Sequence, residues 1–215
     1  MSKRFYKKLV ILLAYGALAG ALPVSVLPKL RPTQQTEFAR SAEDIRAYSP
    51  NGKASITVKA PRNEDEDPRM VARSGNVRLS LGEMRRSASV FWRPDSEAAA
   101  LWDRADSNRF YVRLVRTKPS LSEVRGFDAL IRQAVLREFR GAEEVVHYWV
   151  AIKGWTEGND LLVSVCADGI PKGAPQNTPM IGFDRGYVID TNRVKIRQRL
   201  SSTEFTTVAG ANPCE

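Results

Sequence analysis

Proton transfer near neutral pH is most often the work of a histidine, and this chain has one, His147. It sits in Val145-Val-His-Tyr-Trp-Val150, alternating opposite to Val146, Tyr148 and Val150. A histidine activates a nucleophile only when an orienting acid and that nucleophile lie close in space. Serines are plentiful, but none stands in a Gly-x-Ser-x-Gly turn. His147 therefore reads as a structural or surface residue. Asp95, Asp103 and Asp106 share one short stretch. Paired carboxylates can hydrolyse glycosidic bonds when their spatial separation is right. A small hydrolase using an Asp/Glu pair is thus the alternative to a binding protein, although turns and loops are the ordinary place for such aspartates. No glycine-rich phosphate loop occurs, and no catalytic or cofactor-binding residue is assigned.

Metal chemistry finds little support. The acidic run Glu64–Asp67 lacks the glycine turn and ligand spacing of a calcium loop. Two cysteines and one histidine without Cys-x-x-Cys spacing do not make a zinc cage. Binding chemistry finds more. Trp92, Trp102, Trp149 and Trp155 all fall in or beside strand-like stretches, where exposed tryptophans recognise partners and buried ones fill cores. Trp92 and Trp149 are expected in the core. Trp155, with the stripe Lys195, Arg197 and Arg199, forms the candidate binding patch. Solvation or edge protection is the plainer role for such a stripe.

The N-terminus governs how these residues are read. Lys3, Arg4, Lys7 and Lys8 precede an uncharged run from Leu9 to Leu27. A basic head and an apolar stretch mark an export segment. Ala17-Leu-Ala19 and Ala19-Gly-Ala21 fit a signal-peptidase site, while the run is also long enough to remain as an anchor. The domain would then lie in the periplasm, free or tied to the inner membrane. Cleavage after Ala21 removes four basic residues and takes the formal charge from +9 to +5. That leaves an envelope protein, an anionic envelope surface, or the membrane itself as partners. Nucleic acid is excluded by compartment. Export also changes the reading of Cys166 and Cys214, because disulfides persist outside the cytoplasm. A bond between them would tie down the C-terminal tail.

The elements that must carry these residues follow from periodicity. Residues 1–27 are the signal peptide or anchor. Residues 28–47, with Pro28, Pro32 and a polar run, read as a tether with a short helix near 37–47. Residues 48–215 read as a single β-rich α+β domain. Ala54, Ile56, Val58 and Ala60 alternate with polar residues, as in a half-buried strand. Further strands are expected at Val77–Leu81, Ser87–Trp92, Ala98–Trp102, Phe110–Val115, Val145–Trp155, Leu161–Cys166, Gly186–Asp190 and Val194–Leu200. Asp190-Thr-Asn-Arg193 closes the last hairpin. On the last strand, Val194, Ile196 and Leu200 are expected on one face. Val124, Phe127, Leu130, Ile131, Ala134, Val135 and Phe139 form an apolar stripe at helical spacing, ended by Gly141. Pro119-Ser-Leu-Ser-Glu123 has the form of a capping box, and Gly126 argues for a start one turn later.

Two turns echo each other. Ser49-Pro-Asn-Gly-Lys53 and Trp92-Arg-Pro-Asp-Ser96 lie about 44 residues apart, a period that suits propeller blades. They resemble the aromatic-Ser-Pro-Asp-Gly/Ser-Lys turn of the TolB-type propeller repeats, with Arg93 in place of serine and Asn51 in place of aspartate. The hairpin Tyr187–Val194 is similar to the inner hairpin of such blades. The resemblance implies a binding or scaffolding role. Closure takes at least four blades, which this length does not supply. The expected fold is therefore α+β, mostly antiparallel sheet of blade-like or sandwich form with one packed amphipathic helix, and not a closed propeller. The expected function is partner binding or scaffolding in the envelope.

Overall fold

The computed structural model describes residues 26–63, 65–105, 110–175 and 178–214. Three antiparallel sheets stack in layers. The first holds β2 (Ile45–Tyr48), β3 (Ala54–Lys59), β4 (Arg69–Ser74) and β5 (Val77–Glu83) in that order. The middle sheet runs β1 (Gln35–Ala39), β6 (Ser87–Trp92), β7 (Ala98–Arg104), β8 (Phe110–Arg116) and β9 (Ser122–Glu123). The third runs β10 (Ala142–Trp155), β11 (Leu161–Pro171), β12 (Ile181–Asp190) and β13 (Lys195–Leu200). The fold is mostly antiparallel sheet with two helices among the described residues, and it closes neither a barrel nor a propeller.

The middle sheet is buried on both faces, which explains its composition. Val90, Trp92, Ala99 and Leu101 pack toward Ile56, Met70 and Ala72 of the first sheet. Phe91, Ala98, Ala100, Val112 and Leu114 pack the other way, toward Ile152, Trp155, Val163, Tyr187 and Ile189 of the third. Small alanines at Ala98–Ala100 let both neighbours approach closely. Helix α1 (Phe127–Glu138) enters the second of these cores through Phe127, Ile131, Ala134 and Val135. It begins at Gly126, which is left-handed at φ 74°, so the later of the two expected starts is the one adopted. Ser122 and Glu123, expected in a capping box, form β9 instead.

A second helix, unexpected from the sequence, spans Ser202–Ala209 (α2). Its capping box is complete: Ser201 Oγ accepts from the Glu204 N–H, and the Glu204 carboxylate accepts from the Ser201 N–H. Phe205 packs with Leu162, Val188 and Leu200 on the outer face of the third sheet. Gly186 makes this possible, since a Cβ there would collide with the Phe205 ring.

The segment expected as a tether with a short helix is woven into the fold. Leu27 and Leu30 pack beside Phe205, and Leu30 bridges Thr156. The Arg31 N–H donates to the Trp155 carbonyl at 2.8 Å. The chain then crosses to the middle sheet as β1, where Phe38 is buried, and to the first sheet as β2, where Ala47 is buried. Residues 27–48 thus lace all three layers together. Apart from Val26 and Leu27, the expected export segment lies outside the described residues. No described helix is long and apolar enough to cross a membrane.

Candidate partner-binding groove

Strand β10 lies at the edge of the third sheet, beside the middle sheet. Trp102 leaves β7 at its exposed end, stacks on Phe110 with centroids 5.4 Å apart and planes 10° from parallel, and donates its indole N–H to the Val150 carbonyl at 2.6 Å. Arg104 lies over the Phe110 ring at 5.6 Å. The opposite wall is Trp149, Ser164, Pro213 and the Cys166–Cys214 disulfide. Between them is an open cavity of about 450 Å³. Its floor is aromatic, and its charged lining residue is Arg104.

The disulfide expected from the sequence is therefore part of this groove. It brings the Cα atoms of Cys166 and Cys214 to 5.4 Å and holds Pro213 against the sheet. Trp149, expected in the core, is 37 % exposed. Its pairing with Cys166 places it on the outer face of the third sheet. His147 stacks on Trp149 at 5.2 Å, and its Nδ1 lies 2.7 Å from Asp168 Oδ1. The pair forms a His–Asp dyad. Ser164, the serine on this face, is in register four residues from Asp168, about 13 Å along the strand, and it is buried. The arrangement suits apolar and aromatic contact, not acyl transfer.

The binding patch expected from Trp155, Lys195, Arg197 and Arg199 does not assemble. A bulge between Ile152 and Gly154 shifts the alternation of β10 by one. Trp155 consequently turns inward, is fully buried, and donates its indole N–H to the Phe91 carbonyl at 3.0 Å. A second bulge, between Val188 and Ile189 on β12, divides β13. Ile196 faces the main core while Leu200 joins the outer cluster, so the two do not share a face. Arg197 reaches Asp160 at 2.7 Å and Asp190 at 3.4 Å, and Arg199 reaches Glu138 of α1 at 2.6 Å. Lys195 is exposed.

The carboxylates separate as well. Asp95 lies in the β6–β7 turn, whereas Asp103 is five residues into β7, about 17 Å along the strand from its start at Ala98. Asp106 lies outside the described residues. Two clusters that the sequence did not disclose take up these acids. Arg93, 4 % exposed, donates to Asp95, Glu97, Thr191 and Asn192 and lies over the Trp155 ring. Arg116 adds bonds to the Thr191 and Asn192 carbonyls. The two echoing turns touch in this cluster, where the Asn51 N–H donates to Ser96 Oγ. At the other end of β7, Arg113 forks onto Glu123 at 2.7 and 3.0 Å and donates to Asp103 and to the Leu81 carbonyl. Arg113, Glu123 and Asp103 line an open cavity of about 600 Å³. Burial holds the Asp103 carboxyl above its ordinary range, and Arg113 offsets part of that rise.

Among the described residues no group of three His, Cys, Asp or Glu side chains is placed to hold a metal ion. No family model, curated protein or solved structure matches this chain.

Proposed function

We propose that the chain is an exported domain of the cell envelope that binds a partner and does not transform it. The observation that carries this reading is the groove between Trp102, Phe110 and Trp149, an aromatic cavity with an exposed tryptophan at its mouth. Aromatic side chains in pockets are the usual anchors of protein interfaces. Export is supported by the basic head and apolar run at residues 3–27, and by a disulfide that forms one wall of the groove. The occupant in this reading is an apolar segment of an envelope protein, with Arg104 available to a carboxylate at the rim.

The test uses purified wild-type and Trp149→Ala chains, each offered the envelope extract of the native host. A species retained by wild type and lost by the variant, with matching circular dichroism, is the expected result. Equal retention by both chains sinks the reading. A hydrolase remains the second reading, because Asp103 and Glu123 meet on Arg113 in an open cavity. It predicts hydrolysis of an envelope glycan that Glu123→Gln abolishes. Against it, Glu123 is already engaged by both ends of the guanidinium fork.

A further inference from the structure

We propose that the outer face of the first sheet binds an acidic glycan, its charges held by Arg73, Arg78 and Arg46 and one sugar ring stacked on Tyr48. The choice of occupant rests on the export reading, while the site is independent of the aromatic groove.

Strand alternation builds the face. Ala47, Ile56, Val58, Met70 and Ala72 point into the core shared with the middle sheet, so the residues between them point outward. Strand register lays these out in rows. The first row is Tyr48, Ser55, Arg73 and Arg78. The second, about 7 Å along the strands, is Arg46, Thr57, Val71 and Ser80. Neither row contains an acid, and Arg46, Arg73 and Arg78 form no ion pair among the described residues. Lys53 adds an exposed cation in the β2–β3 turn. The third row is balanced, with Lys59 paired to Asp44 and Arg69 facing Glu83. Beyond it Glu43, Asp65, Arg62, Arg85 and Arg86 are exposed, so that end is mixed in charge. The balanced row stands about 13 Å from the first, farther than a Debye length of about 8 Å. The first two rows are therefore a cationic site of their own.

Its groups are arranged for a charged sugar chain. Arg73 and Arg78 lie directly opposite each other on β4 and β5. Like charges so placed repel. A carboxylate or phosphate between the two forks replaces that repulsion with charge-assisted hydrogen bonds. Arg46 is held in place: it donates to Thr57 Oγ1 at 3.1 Å and to the Tyr48 hydroxyl at 3.0 Å, and it lies over the Tyr48 ring at 5.7 Å. Tyr48 is 49 % exposed. Its ring offers an apolar face to the C–H side of a sugar, and its hydroxyl a polar tip. A peptide would need apolar anchors, and Val71, half-buried, is the one aliphatic side chain on these two rows. A flat lipid layer would cover the mixed end as well, whereas a chain lying along the two rows meets cations alone.

The protein purified from its native host in non-ionic detergent is titrated into fluorescein-labelled oligogalacturonate and phosphomannan, with anisotropy as the readout. Binding of at least one is expected. R73Q/R78Q should weaken it about tenfold or more, and R85Q/R86Q, which removes the same charge from the mixed end, less than about twofold. Y48L should weaken glycan binding several-fold and leave binding of poly-glutamate unchanged. Trp149→Ala should bind as wild type, and matching circular dichroism shows that each variant is folded. No binding of either glycan, or equal loss in the two double variants, overturns the site. An unaffected Y48L overturns the stacking. Tighter capture by phosphatidylglycerol mixed micelles or by poly-glutamate than by both glycans overturns the glycan as occupant. None of these results bears on the groove reading.

Discussion

Arg93 shows how one buried cation can lock two sheets. Its fork joins the β6–β7 turn to the β12–β13 turn, and its face covers Trp155. Removing one partner of a buried charge network usually costs several kcal/mol. Here Asp95 and Glu97 are 32 % and 39 % exposed, so water recovers part of the loss. Arg93→Ala should therefore lower unfolding stability by about 2 kcal/mol in urea titrations. Arg93→Lys should restore less than half of that, because an ammonium cannot reproduce the fork. Asp103 gives a prediction of the opposite kind. Its folded pKa lies above the ordinary 3.8 because burial outweighs the help of Arg113. A raised carboxyl favours the fold below the unfolded pKa, and that advantage is lost as pH rises through the folded pKa. An amide in its place cannot ionise. The stability of Asp103→Asn relative to wild type should thus improve as pH rises from about 3 to 7, as read from urea midpoints. A decline over that range would contradict the burial account.

At the scale of elements, α2 depends on a glycine in the strand beneath it. Gly186→Ala places a methyl group against the Phe205 ring. A cost of about 1–3 kcal/mol is expected, with faster amide exchange confined to α2 and the residues that pack on it. Regular alternation made β3, β8 and the last hairpin legible in the sequence, and the apolar stripe made α1 legible. The Cys166–Cys214 bond was legible once export was assumed. What defeated the reading was parity. Trp149, expected in the core, lies on the outer face, and Trp155, expected in the binding patch, is buried. The two stand six positions apart, and the bulge between Ile152 and Gly154 shifts the alternation so that they face opposite ways. The bulge opposite β13 undid the Lys195, Arg197 and Arg199 stripe in the same way. Strands β1 and β2 were hidden because they are short and bury chiefly Phe38 and Ala47, which is too little to show a period. Helix α2 was hidden because Phe205 is its one fully buried residue.

The whole molecule is a stack whose layers are joined by crossing chain as well as by apolar packing. Residues 27–48 lace the three sheets, Arg93 pins one end and Arg113 pins the other. The disulfide adds a further tie, closing a separation of 48 residues. Replacing Cys166 and Cys214 by serine should cost about 4 kcal/mol on loop entropy, seen as a lower Tm, and should release Pro213 from the wall of the groove. A rigid stack of this kind suits the display of one surface to a partner. The groove at Trp149 is that surface in this account. Photo-crosslinking in the native host tests it most directly, with a benzophenone residue at Trp149 and, as control, at Val77 on the opposite side of the stack. A discrete adduct with an envelope protein from position 149, absent from position 77, is the predicted result. The same adducts from both positions, or none from 149, would contradict it.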